Sequence, residues 1–356
     1  MGTPLGKKNK PNLKQIQKVS RDLKKVVKPG QLIILKSTVL PGVTRNILYK
    51  SLKNKKDIYI SFSPERIAEG NALNEISKIP VVVSGINNLS LKKSVTFWKN
   101  LNIKTETVPS LETAELSKLA CNAWIDLNIA LANDLAQISD LIGNGLDILE
   151  VIRASNTLKK GNGNVNILTP SVGVGGYCLT KDPLFLSNYL SSRKYENVFR
   201  SSRKVNDNMP VYSVKKIIKE VKKKNKNIKL INLNTLILGA SFKSNSGDIR
   251  FTPTFKFIKE LKKNKVKNIK IYDPLIFKGD RKYFKEIFFE DLESAIKFAD
   301  IICILSSHKE ITRLTPKIFK KNFKKNLIIF DGRRYFSLDE IKHIRKNKMK
   351  YIGIGR

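Results

Sequence analysis

At 356 residues, with 68 lysines and arginines against 30 aspartates and glutamates, the chain carries a formal charge of +38 and enough length for two or three cored domains. No run reaches the length of a membrane span, and the opening MGTPLGKKNKPNLKQ lacks the apolar stretch of a signal peptide. Three cysteines without a C-x-x-C pair exclude a disulfide framework and a zinc site, and point to a reduced, cytoplasmic protein. Only 14 of the 68 basic residues are arginine, and they follow no zinc-finger, RNP-like or recognition-helix pattern. So diffuse a charge argues for an anionic small substrate and against nucleic acid.

The elements follow in chain order. NLKQIQKVSRDLKKVV has helical spacing and stops at KPG, after which QLIILKSTV reads as a buried strand. A helix, VTRNILYKSLK, the strands DIYISFS and PVVVSG, and a further helix, LSLKKSVTFWKNL, complete residues 1–108. Strand–helix alternation of this kind predicts a parallel α/β sheet. From Leu111 to Ile142 runs the strongest helical pattern of the chain, apolar on several sides and therefore expected to be buried, in its own domain or against a second subunit. Lys118 and Asn122 are four apart and share one face of it. GNG stops this helix and LDILEVIRASN follows. VKKKNKNIKLINLN, rich in lysine and asparagine, reads as a linker, placing a boundary near residue 225. Beyond it a second alternation begins with TLILGASF, passes through TPTFKFIKELKKN, NIKIYDP, DLESAIKFA, DIICILS and NLIIFDG, and ends at KYIGIG. The two histidines, His308 and His343, stand far in sequence from any second cluster of ligands.

The stretch LTPSVGVGGYCLTKDP, residues 168–183, sets one cysteine in a glycine-rich loop. Cys121 lies in the long helical pattern and Cys303 in an apolar strand, so both read as small core residues. Cys178 has no apolar periodicity around it, and the glycines beside it allow close approach of other backbone. A reactive thiol needs exposure and nearby positive charge, so the stretch leaves two readings of Cys178, a nucleophile or a structural thiol beneath a turn.

Taken together, GTP…PNL, STVLPG, SFSPERIAEG, ELSKLACNAWIDLNIALANDLA, GVGGYCLTKDP, RKVNDNMP, LILGASFKSNSGDIRFTP, YDP and DGRR, in this order, resemble the UDP-glucose/GDP-mannose dehydrogenase superfamily over nearly the whole chain. The wording is closest to its UDP-N-acetylhexosamine branch. The resemblance implies an α/β fold of two Rossmann-like parallel-sheet domains joined by a central helical domain with a long helix. Residues 1–108 would be the later part of the NAD-binding domain, 109–225 the central dimerisation and catalytic domain, and 226–356 the UDP-sugar-binding domain. It implies a four-electron oxidation of the sugar C6 hydroxyl to a carboxylate, with NAD as cofactor and a homodimer formed through the 111–142 helix. An aldehyde cannot give up a second hydride until a nucleophile adds to it. A cysteine thiolate meets that need, passing through a thiohemiacetal and a thioester.

The same resemblance assigns roles. Cys178 would be the nucleophile, with Lys118 and Asn122 stabilising the oxyanion. Asp182 and Glu65 would position or activate water, which Thr38 would hold. Thr3, Thr38, Glu65, Lys181 and Arg250 would lie toward the cofactor. Glu65, Lys118, Asn122, Gly175, Lys243 and Arg333 or Arg334 would meet the substrate, with Asp248 beside Arg250. Two positions depart from the family pattern: Asn164 stands where an arginine usually precedes NIL, and Tyr177 where many acetylhexosamine enzymes carry histidine. No G-x-G-x-x-G follows any strand, whereas members carry one before the GTP strand end. The expectation is an N-terminally truncated chain, with a fragment that folds, dimerises and binds UDP-sugar only as the alternative.

Overall fold

The runs QLIILKSTV and DIYISFS form β1 (Leu32–Leu35) and β2 (Tyr59–Phe62), which pair in parallel and in register, Leu32 opposite Tyr59 and Leu35 opposite Phe62. The protein, a computed structural model, is described at residues 2–6, 11–67, 75–76, 78–161, 163–190, 196–224, 227–312 and 326–356. It divides into two compact units, Met1–Trp124 with Lys181–Arg200, and Ile125–Thr180 with Ser201–Arg356. The fold is α/β, with a Rossmann-like parallel arrangement and a long helix, Leu111–Ile142.

In the first unit the sheet order is β1-β2-β3-β4, with β3 at Val81–Gly85 and β4 at Thr105–Thr107. The pairs β1–β2 and β3–β4 are parallel, but β2 and β3 run antiparallel. A parallel pair needs a crossover of a dozen or more residues, usually helical, and SPERIAEGNALNEISKIP offers no sustained helical repeat between these strands. Ile16 of the first helix, Leu35, Ile60, Phe62 and Leu111 share one core. A second, smaller core joins Leu119 and Ala123 to Phe185 and Leu186 of the helix Asp182–Tyr189.

In the second unit six strands lie in the order β12-β11-β10-β7-β8-β9, every pair parallel. They are β7 (Asn234–Leu238), β8 (Asn268–Tyr272), β9 (Ile287–Phe288), β10 (Ile301–Ile304), β11 (Ile328–Asp331) and β12 (Lys350–Gly353). Strands covered on both faces read as unbroken apolar runs, and IICI is buried at every position. The hairpin β5–β6 (Lys159–Lys160 and Gly163–Asn164) carries Asn164, exposed. Sequence order reverses between β7 and β10, which makes their carboxyl ends the crevice where such sheets receive ligands.

Residues 125–180 and 201–225 pack with 226–356 in one compact unit. One core contains Ala132, Ile148, Met209 and Ile217 together with Ile237, Cys303 and Phe330 of the strands. Cys121, read as a core residue, is exposed. It lies along a helix face on which Leu116, Trp124, Leu131 and Ile138 stay 45%, 50%, 48% and 50% exposed. Steps of seven or eight residues make these a single stripe. Cys303 is fully buried, and burial pushes its thiol far up. Among the described residues no helix is long and apolar enough to cross a membrane.

Candidate active site

In the second unit the cysteine loop is fastened at both ends. Asn133 of the long helix accepts from Ser171 N–H at 2.8 Å and donates to Asn206 Oδ1 at 2.9 Å. Asn206 in turn donates to Asp126 Oδ1 (2.7 Å), whose charge is balanced by Arg203 (2.6 Å). All four of these side chains are buried, so the motif RKVNDNMP serves this polar network, which the sequence reading had not assigned. Further along, Gly176 N–H donates to Arg250 C=O (3.0 Å). A Cβ on Gly175 would stand 2.5 Å from Phe242 Cβ and 2.8 Å from Phe251 O, and one on Gly176 2.7 Å from the Phe242 ring. The close approach that the glycines allow is therefore to the segment FKSNSGDIRF. Cys178, two residues on, is exposed.

That segment leaves the carboxyl end of β7 and the DGRR turn leaves that of β11. Arg333 Nη2 donates to Phe242 C=O (2.9 Å) and its Nε to Leu305 C=O (2.6 Å). These partners are neutral, and burial lowers the Arg333 guanidinium to about 10, still charged at neutral pH. A cation held only by carbonyls suits an anionic ligand. Arg334, the other arginine of the turn, has a left-handed φ of 53° and turns inward to Asp147 (2.6 Å) and Ile354 C=O (2.8 Å). Of the two, only Arg333 keeps an anion-reading character. Arg250 is exposed and clamps Asp248, Nε–Oδ1 2.9 Å and Nη2–Oδ2 2.5 Å. Lys243 is half-buried in the same loop, its carbonyl accepting from Ser241 Oγ at 3.1 Å.

In the first unit a second cluster forms on helix faces. Asp182 is fully buried at the start of its helix, and its two oxygens take different partners: Oδ2 accepts from Asn122 Nδ2 and Oδ1 from Lys181 Nζ, each at 2.5 Å. Lys181, 3% exposed, also stacks its ammonium 4.7 Å from the Phe185 ring centroid, so its charge is committed to Asp182. Lys118, one turn before Asn122, is half-buried. The loop after β1 is tied to both helices. Thr3 Oγ1 donates to Thr38 C=O (2.7 Å), Tyr189 O–H to Pro41 C=O (3.0 Å), and Gly42 N–H and Thr44 N–H to the Glu115 carboxylate (2.5 and 2.8 Å). Glu115 is fully buried. Burial pushes its carboxyl up, and the bonds from Thr44 and Gly42 only partly pull it back. Neither Glu115 nor Tyr189 was singled out in the sequence, because each acts on a loop remote in the chain.

Thr38 and Glu65 follow β1 and β2 by three residues each, so they leave the sheet side by side. Burial would raise the Glu65 carboxyl, but hydrogen bonds from Ile67 and Arg66 N–H and the Lys36 ammonium (3.2 Å) hold it below the usual carboxylate range. Glu65 is an anion. A cleft of about 1110 Å³ in the second unit, lined by Tyr212, Lys216, Glu220, Lys350 and others, contains none of these residues. Among the described residues no group of three or more His, Cys, Asp or Glu could hold a metal ion.

Strand ends that carry the ionised Glu65 in one unit and, in the other, a guanidinium held only by carbonyls fit a nucleotide-binding α/β protein, the class to which NAD-dependent dehydrogenases belong. Comparison with known proteins gives the family. Residues 1–101, 112–208 and 236–338 match the NAD binding, central and UDP binding domains of the UDP-glucose/GDP-mannose dehydrogenase family. A UDP-N-acetyl-D-mannosamine dehydrogenase of Methanocaldococcus jannaschii is 32% identical over 97% of this chain and 75% of its own length. A solved UDP-D-ManNAc dehydrogenase of Pyrococcus horikoshii superposes with a TM-score of 0.83 at 28% identity, covering 100% of this chain and 80% of that one. An NDP-N-acetyl-D-galactosaminuronic acid dehydrogenase of Methanosarcina mazei gives 0.84 at 28%, covering 100% and 76%. The chain belongs to the UDP-glucose/GDP-mannose dehydrogenase family, and with it to the NAD-dependent oxidoreductases acting on CH–OH groups. The family's cofactor is NAD, and where β1 and β2 end the ionised Glu65 beside Lys36 offers negative charge compatible with a cationic nicotinamide.

Proposed function

We propose that the protein oxidises the C6 hydroxyl of a UDP-N-acetylhexosamine to the uronic acid through Cys178. The observation that carries this reading is the docking of the Cys178 loop on the segment that bears Lys243, Asp248 and Arg250, with Arg333 bonded to the same Phe242. The names of the relatives support a UDP-N-acetyl sugar, and N-acetylmannosamine first among them. Bound NAD⁺ supplies the hydride acceptor for each of the two oxidations. The Cys178 thiolate adds to the aldehyde formed by the first oxidation. Lys118 and Asn122 donate to the oxygen of that adduct, and of the tetrahedral adduct formed when water attacks the thioester. Asn122 can do so because Asp182 takes one of its two amide protons and fixes the orientation of the other. Each Asp182 oxygen keeps a lone pair for water, which gives this carboxylate its place in thioester hydrolysis. Lys181 holds Asp182, and Glu65 with Thr38 lies toward the nicotinamide.

Three further readings belong to this proposal. The functional parts follow the family matches, cofactor, central and UDP portions in chain order. The stripe Leu116–Trp124–Leu131–Ile138 is a homodimer contact. Three free cysteines suit a cytoplasmic place. The test is to incubate the protein with UDP-N-acetylmannosamine and NAD⁺ and read absorbance. Two NADH per sugar oxidised is the expected stoichiometry, and one would remove the thioester route. UDP-sugar binding without NADH would leave only nucleotide recognition.

A further inference from the structure

His308 is fully buried and has no part in the chemistry above, yet three neighbouring strands meet at it. Its Nδ1 accepts from Asn245 N–H at 2.9 Å, in the loop after β7. A ring nitrogen that accepts from a main-chain N–H carries no proton, so the proton sits on Nε2. Nε2 lies 3.0 Å from Asp273 Oδ2, after β8, and 3.2 Å from Ser241 Oγ. Asp273 also accepts from Ala240 and Ser241 N–H at 2.7 and 3.1 Å. His308 itself follows β10. Around it the loops are zipped together: Lys309 N–H donates to Asn245 Oδ1 and Ser244 Oγ meets Ser307 Oγ, both at 2.9 Å. Arg333 Nε closes the group on Leu305 C=O.

Resting on the nucleotide-sugar reading, we propose that His308 is a positioning residue for substrate binding, through the bond from Asn245 N–H to Nδ1. That bond holds the 241–250 loop, with Lys243 and the Phe242 carbonyl that seats Arg333, in its receptive shape. Asn245 has a left-handed φ of 56°, which asparagine tolerates, and both its N–H and its side chain are held, by His308 and by Lys309 N–H.

Two substitutions separate the ring's two bonds. His308→Asn places an acceptor where Nδ1 stands and withdraws the donor to Asp273. His308→Gln does the reverse, reaching Asp273 and orphaning Asn245 N–H. Titration of UDP by calorimetry should show the Gln variant weakened roughly tenfold, because Asn245 N–H loses the bond that fixes the loop, and the Asn variant within about twofold of wild type. Core packing alone would weaken both alike, and equal affinities would overturn the proposal. If either variant fails to fold, Ser244→Ala removes a neighbouring loop–loop bond outside the core. It should weaken UDP severalfold at an unchanged melting temperature, and unaltered affinity would likewise overturn the proposal. A wild-type chain that binds no UDP would sink the nucleotide reading first and this inference with it. Wild-type binding with indistinguishable variants would sink the inference alone.

Discussion

The two units hold their candidate groups in different ways. In the first, Lys118, Asn122 and Asp182 sit on helices, Lys118 and Asn122 one turn apart on the same one, and Asp182 is held by Asn122 and Lys181. In the second, Cys178, Lys243, Arg250 and Arg333 sit on loops at strand ends, and their places depend on bonds to other loops. The lesson concerns robustness. A helix-borne group tolerates the loss of a distant bond, whereas a loop-borne group depends on side chains such as Asn133, Asn206 and His308 that never touch a ligand.

The largest expected effect comes from the loop side. Cys178→Ser should remove net oxidation, since a hydroxyl of ordinary acidity cannot trap the aldehyde, and NADH formation from the UDP-sugar measures it. Turnover at the wild-type rate would take Cys178 out of the mechanism. On the helix side, Asp182→Asn should slow thioester hydrolysis by roughly a hundredfold. A sugar adduct on Cys178 should then build up in intact-mass spectra, and slow turnover with no adduct would move Asp182 to an earlier step or a structural one.

Glu115→Ala probes the tie between the β1 loop and the long helix. It leaves Gly42 N–H, Thr44 N–H and the Thr44 hydroxyl without their buried acceptor, and should cost about 3 kcal/mol in urea unfolding. UDP affinity, seated in the other unit, should stay unchanged; a parallel loss would show that the loop side depends on this tie as well. Leu131→Glu puts a charge in the middle of the exposed apolar stripe and should shift sedimentation from dimer to monomer. The smallest effect belongs to Cys121→Ser, within about 0.5 kcal/mol of wild type because the side chain is exposed. A large loss there would mean that the stripe covers Cys121 in an assembly.

Much of this protein was legible in its residues. Strand runs such as LIIL, IICI and IIFD, and the helix from Leu111 to Ile142, follow from apolar periodicity, a local property of the chain. The pairing of Lys118 with Asn122 on one helix face is likewise arithmetic of 3.6 residues per turn. Motif order also identified the family. What packing decided was everything that joins segments remote in sequence. The antiparallel β2–β3 pair, the inward turn of Arg334, and the roles of Glu115, Asn206 and His308 each depend on a partner more than a dozen residues away. Periodicity states which face of an element is apolar but not what will cover it. A buried polar side chain has no pattern of its own, since its identity is set by the single donor or acceptor that folding brings opposite.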